Sequence, residues 1–188
     1  RYQAYRLGLA PVRHLPDTKI ISVGNIIAGG TGKTPLVLLL GQALQGRGLK
    51  IGIAARGYGG VRTSGPALVS DGKQVRLTPR EAGDEPFLLM KELAGVPVAV
   101  DQSKAAAAEL LARECRPAVI IVDDGFQHLA LARDLDIVLL EAAAPFGNGF
   151  LLPRGLLREA PGALKRAGII VITRAQAVPD LAPLRRRV

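Results

Sequence analysis

Within six residues, Gly29-Gly30-Thr31-Gly32-Lys33-Thr34 gathers three glycines, two hydroxyls and an amine. The glycines remove the Cβ atoms that would keep a backbone from closing on a phosphate, and their N–H groups can then donate to an anion. A helix beginning beside them adds its positive end. Lys33 is placed to reach the outer phosphates of a nucleotide triphosphate, and the Thr34 hydroxyl to ligate Mg²⁺. The whole turn from Ile27 and Ala28 to Thr34 is therefore the candidate nucleotide site. It departs from strict Walker A spacing, which wants a glycine where this chain has Ile27; the nearest earlier one is Gly24. The loop is expected to be longer, or shaped differently at its entry. The bland alternative is a glycine-rich turn before an ordinary helix.

Carboxylates supply the second set of chemistry. The apolar run Ala118 to Val122 ends at Asp123-Asp124, and an apolar strand ending in Asp is the Walker B arrangement that holds Mg²⁺. That commits Asp123 to the metal, with Thr34 and Glu85 as companion ligands. Gly83-Asp84-Glu85-Pro86 opens a helix with acids near its positive end. Asp84 can approach from the acceptor side and take the proton of an attacking hydroxyl; its other reading is a helix cap, which would leave Asp124 as the base. Lys33 and Asp84 are thus the candidate catalytic pair. Gln127 and His128 follow the acid pair, and an imidazole there could orient a substrate hydroxyl or serve only the loop. Arg56-Gly57-Tyr58-Gly59-Gly60 lies beyond the carboxyl end of a strand, the edge where open α/β sheets bind ligands.

The elements that must position these groups alternate. Apolar strands are predicted at Lys19–Val23, Lys50–Ala55, Val96–Val100, Ala118–Val122, Ile137–Leu140 and Ile169–Thr173. Helices are predicted after the glycine loop, over Glu81–Gly95 and over Asp101–Arg116, with a hairpin over Ala67–Leu77 around Asp71-Gly72. Apolar strands alternating with helices predict a mostly parallel sheet covered on both faces. The fold class is α/β, a P-loop NTPase-type three-layer α/β/α sandwich.

Composition narrows the partners. The 188 residues are 48% hydrophobic but only 4% aromatic, without Trp, so stacking platforms for single-stranded nucleic acid are scarce. The single Cys115 excludes a disulfide framework. The net charge of +9 is concentrated at the ends, with +3 in residues 1–20 and +6 in residues 151–188. Such ends suit an acidic partner, an anionic membrane surface first, and no nucleic acid is expected. The sequence begins without Met and ends in Arg185-Arg186-Arg187-Val188, so a fragment of a longer protein is expected.

Taken together, these motifs resemble the tetraacyldisaccharide 4′-kinase family, the lipid A 4′-kinases. The resemblance rests on Ser22-Val23-Gly24-Asn25 running into Gly29 to Pro35, then Arg56 to Gly60, Gly83 to Pro86 and Asp123 to His128. It continues through Arg133-Asp134, Phe146-Gly147-Asn148-Gly149, Leu151-Leu152-Pro153, Arg158 and Glu159. It implies transfer of the ATP γ-phosphate, with Mg²⁺, to the 4′-hydroxyl of a lipid A disaccharide precursor at the cytoplasmic face of the bacterial inner membrane. The family's base falls on Asp84, working with a histidine outside this sequence. Asp124, Gln127, His128, Arg56, Asn148 and Glu159 become candidate substrate-side residues. Residues 1–18 would be the remnant of a membrane-associating segment, 19–174 the kinase domain, and 175–188 the start of a linker to a smaller second domain outside the sequence. Two departures stand out, Glu159-Ala160 where the family has Glu-Pro and Asp101-Gln102 where it has Asp-Arg. The competing readings are a P-loop ATPase or GTPase driving conformational or metal-delivery work, and a basic nucleic-acid module; the collinear motifs favour the kinase.

Overall fold

Runs of Val, Ile and Leu too apolar for a solvated face form the centre of the molecule. In the computed structural model, which describes residues 5, 10–61 and 65–186, seven strands make one sheet. In chain order the elements are β1 (Lys19–Asn25), α1 (Lys33–Gly46), β2 (Ile51–Ala55), β3 (Ala67–Ser70), α2 (Pro79–Ala82), α3 (Asp84–Glu92) and β4 (Val98–Val100). There follow α4 (Lys104–Glu114), β5 (Val119–Asp123), β6 (Leu135–Glu141), β7 (Ile169–Thr173) and α5 (Ala182–Arg185). The strand order is β3-β4-β2-β5-β1-β6-β7, parallel throughout except where β3 runs antiparallel to β4. Val23 pairs with Asp123 and Asn25 with Leu139, so the loops after β1 and β5 emerge side by side.

The two faces are covered differently. On one, Leu36 and Val37 of α1 and Leu89 of α3 pack on Val23, Ile53, Ile121 and Leu139. On the other, the small residues Ala105, Ala107 and Ala108 let α4 lie close against Ile20, Ala54 and Ile120. Beyond α4 that face is closed by irregular chain, with Phe126, Phe146, Leu157 and Leu164 packed on Val138 and Leu140. Leu184, in the segment expected as linker, is buried in the same cluster. Cys115 is buried and free.

Three expectations need correction. The Ala67–Leu77 hairpin is formed only around its turn: Ser70 bridges Val75 and Arg76 N donates to Val69 O at 2.8 Å, but the return limb makes no strand, and β3 pairs instead with β4. The helix expected from Asp101 starts at Lys104, because Ser103 turns its side chain to accept from Ala106 N. The Glu81–Gly95 helix is split by Gly83, whose φ of 87° breaks the turn between α2 and α3. The lead-in at residues 1–4 and 6–9, and Arg187 and Val188, lie outside the described residues.

Candidate active site

Asn25 ends β1 with its side chain turned into the following loop, where Nδ2 donates to Thr31 Oγ1 at 2.8 Å. The loop entry is fixed by the backbone: Ile27 bridges Leu157, and Ala28 N–H donates to Leu156 O at 2.7 Å. This explains the missing Walker glycine. Ile27 is buried as a packing residue, and Gly24 serves β1 itself, since a Cβ there would stand 2.7 Å from Phe126 Cβ. Gly29 and Gly32 take positive φ, and a Cβ at Gly29 or Gly30 would meet no protein atom within 4 Å. The backbone therefore faces open space. Gly32 leads into α1, whose first turn carries no acid and no side-chain hydrogen bond at its start.

That space is a cleft of about 780 Å³ along the carboxyl edge of the sheet. Its walls include the Gly29–Pro35 turn, Arg56, Glu85, Lys104, Asp123, Asp124 and Arg158. Thr34 Oγ1 donates to Glu85 Oε1 at 2.5 Å. Asp123 is buried, and its Oδ1 has no hydrogen-bond partner. Burial first, then the Glu85 charge, pushes the Asp123 carboxyl up to about 6. A buried carboxylate oxygen left unpaired beside a second acid is what a cation would stabilise. Among the described residues no three His, Cys, Asp or Glu side chains form a metal cage. This donor set suits Mg²⁺, which takes one or two carboxylates and completes its shell with water and phosphate oxygens.

Asp124 is organised otherwise. Its φ is 49°, a conformation that Asp tolerates better than most residues. Oδ1 stands 3.5 Å from Lys33 Nζ, and Oδ2 accepts from Arg158 Nη1 at 2.8 Å. Burial alone would raise this carboxyl, but Lys104, Arg158 and Lys33 outweigh it and hold it below the ordinary value. Lys104, 1% exposed, donates Nζ to the Asp124 main-chain oxygen. Burial lowers that amine to about 8 against the opposing pull of Asp124 and Asp123.

Of the sequence candidates, the glycine loop, Lys33, Thr34, Glu85, Asp123, Asp124 and Arg56 meet at the cleft. Asp84 is exposed at the start of α3 and does not line it. The Arg56–Gly60 loop and the Ala82-Gly83 turn interlock through bare backbone. A Cβ at Gly60 would lie 2.4 Å from Glu81 O, and one at Gly83 would lie 2.4 Å from Tyr58 O. Gln127 and Glu159 brace instead: Gln127 Nε2 donates to Asn25 O at 2.9 Å and to Glu159 Oε1 at 3.0 Å, and Arg166 grips the same carboxylate. Asn148 folds its own loop, accepting from Phe150 N and donating to Arg154 O. His128 is half-buried off the cleft wall, and burial, then Lys104 and Arg56, lower its imidazole to about 4. Two charged cleft residues fall outside the candidate site residues of the sequence, Arg158 and Lys104. Arg158 enters the sequence reading through the family resemblance and a charged pair but without a site role, and Lys104 is hidden in an Ala-rich helix.

Comparison with known proteins gives a consistent result. A family model described as tetraacyldisaccharide-1-P 4′-kinase matches residues 1–185. The chain is 47% identical over 174 residues to a tetraacyldisaccharide 4′-kinase of Geobacter metallireducens, covering 93% of this chain and 51% of that protein. It is 45% identical over 175 residues to one of Desulfatibacillum aliphaticivorans, covering 93% and 47%. The crystal structure of the "apo" form of LpxK from Aquifex aeolicus in complex with ATP superposes with a TM-score of 0.84 at 37% identity. That match covers 95% of this chain and 55% of the other. The chain thus spans about half the length of the curated relatives it matches.

Proposed function

The chain belongs to the tetraacyldisaccharide-1-P 4′-kinase family, and on that premise we propose that it is the nucleotide-binding and phosphoryl-transfer core of a lipid A 4′-kinase. The acceptor is the 4′-hydroxyl of a tetraacyldisaccharide 1-phosphate, reached at the cytoplasmic face of the inner membrane. The observation that carries the reading is the convergence of Lys33, Thr34, Glu85 and Asp123 on one cleft in front of an open glycine backbone.

In this reading the N–H groups of Gly29 to Lys33 bind the triphosphate, and Lys33 draws charge from the γ-phosphate as the acceptor approaches. Thr34, Glu85 and Asp123 would hold Mg²⁺, which neutralises phosphate charge. The new O–P bond forms at the sugar oxygen, the β–γ bridging bond breaks, and ADP leaves with that electron pair. The hydroxyl proton goes to Asp84, the exposed acid next to Glu85 at the start of α3. Arg56 and Arg158 supply cations for an anionic acceptor. The basic ends of the chain suit an anionic bilayer, and no helix among the described residues is long and apolar enough to cross one.

The test is transfer of labelled γ-phosphate by the full-length protein, with and without tetraacyldisaccharide 1-phosphate. Acceptor-dependent labelling is expected. Equal ATP turnover in both would replace the kinase with an ATPase.

A further inference from the structure

The loop after β6 turns its apolar side chains outward. Phe150, Leu151, Leu152 and Leu156 are all between 44% and 53% exposed. They sit on a braced stem: Leu157 N donates to Phe150 O at 3.1 Å, Leu152 N to Leu157 O at 2.8 Å and Gly155 N to Leu151 O at 3.0 Å. Phe146 and Leu157 anchor the stem in the core beneath. The exposure therefore belongs to a shaped tip, and clustered apolar side chains held in water mark a contact surface. A shallow hollow of about 460 Å³ lies between this tip and Ala160-Pro161.

The charges around the tip select its partner. The Arg154 guanidinium lies over the Phe150 ring, 3.9 Å from its centre, and from Phe150 to Arg166 there are four basic residues against the single acid Glu159. Glu159 is buried and pairs with Arg166, and Arg158 pairs with Asp124, while Arg154 and Lys165 are exposed. An apolar tip carrying the Arg154 guanidinium, in a basic stretch of chain, matches the headgroup–acyl boundary of an anionic bilayer, apolar atoms inward and cations at the phosphates. Leu152 also lines the reaction cleft, which makes the tip and the cleft mouth one continuous surface.

We propose that residues 149–156 are a bilayer-contacting tip that seats the cleft mouth at the headgroup level of an anionic membrane. Phe150, Leu151 and Leu156 enter the interface, and Arg154 stays with the lipid phosphates. An acceptor carried on acyl chains then meets the cleft without leaving the bilayer; that consequence rests on the kinase reading, whereas the contact itself rests on the tip.

The chain has no Trp, so Phe150→Trp provides a fluorescent reporter at the tip, with Leu39→Trp on α1 as the remote control. With phosphatidylglycerol vesicles carrying brominated acyl chains, the fluorescence of the Phe150→Trp protein should shift to the blue and be quenched. The Leu39→Trp protein should not respond. Leu151→Ser/Leu156→Ser should lower the vesicle-bound fraction about tenfold at an unchanged melting temperature. An unquenched Phe150→Trp protein on vesicles that bind it would overturn the proposal and assign the tip to another part of the protein or a second copy. Equal vesicle binding by the double variant would overturn it too. Quenching without transfer to the lipid acceptor would sink the kinase reading and leave the tip standing.

Discussion

Arg158 Nη1 donates to Asp124 Oδ2 at 2.8 Å, tying the irregular chain after β6 to the carboxyl end of β5. Lys33 stands on the other oxygen of the same carboxylate, at 3.5 Å. One acid thus holds two of the cations that a triphosphate would attract, and it holds them where the phosphates would arrive. In the kinase reading Asp124 would act as a placeholder for ligand charge, and nucleotide binding would exchange one anion for another.

Asp124→Asn tests that exchange. Asn tolerates the left-handed backbone that Asp124 adopts, so the fold should be kept while the charge is lost. Nucleotide affinity, read by calorimetry, should hold or rise severalfold, because the cations no longer have to leave a carboxylate. Turnover should fall roughly tenfold or more, because Lys33 and Arg158 lose their alignment. Weakened binding with normal turnover would refute the placeholder role.

Lys104 separates stability from activity. Its ammonium is buried at a cost and, among the described residues, bonds a main-chain oxygen, so Lys104→Met removes a burial penalty along with a hydrogen bond. Stability should change by no more than about 1 kcal/mol, of either sign. Turnover should drop roughly tenfold, since the cation next to Asp123 and Asp124 disappears. A large loss in melting temperature at normal specific activity would make Lys104 a purely structural residue.

Asp84 is exposed and off the cleft wall, whereas Glu85 is bonded to Thr34. The two acids should therefore respond differently. Asp84→Asn should cut turnover by roughly 10² with ATP affinity and melting temperature nearly unchanged. Glu85→Gln should act mainly on the Mg²⁺ concentration needed for half-maximal rate. Normal turnover in Asp84→Asn would leave Asp84 as a helix-start residue and move the proton to Asp124.

His128 predicts a pH effect of defined sign. Its folded value near 4 lies below the ordinary 6.5, so the unfolded chain takes up the proton first as pH falls. The stability from keeping the ring neutral is complete above pH 6.5 and is lost progressively down to about pH 4. It amounts to roughly 2 kcal/mol once solvent access is allowed for. Asp123, raised to about 6, works in the opposite direction, so the informative quantity is the difference between wild type and His128→Gln. That variant should lose less melting temperature than wild type between about pH 7.5 and about pH 5. Parallel curves would count against the burial effect.

The sequence made the strand–loop–helix unit from β1 to α1 legible, because an apolar run, three glycines and Lys-Thr leave few alternatives. β5 was as plain, since its residues are apolar on both faces and stop at Asp123. The edge strand was less visible: the alternation over Ala67–Leu77 suits a hairpin as well as a strand whose partner, β4, comes only after two intervening helices. Whether a motif side chain faces the cleft or its own loop was also hidden. Gln127 meets Glu159 across 32 positions, and nothing local to either residue encodes that contact. Lys104 did leave a signal. A lysine in the first turn of a helix opposes the dipole, and such a misplaced cation needs an anionic neighbour to explain it.

The first turn of α1 has a thermodynamic consequence. No side chain caps it, the turn itself carries no acid, and Gly32 precedes it in a left-handed conformation. In the kinase reading a bound phosphate would be the cap of that helix. Nucleotide affinity and the local stability of this turn become one linked quantity. Amide exchange in residues 29–36 should slow more than anywhere else in the chain when ATP is added. The melting temperature should climb with ATP concentration, by about 2.7 kcal/mol of added stability at a hundred times the dissociation constant.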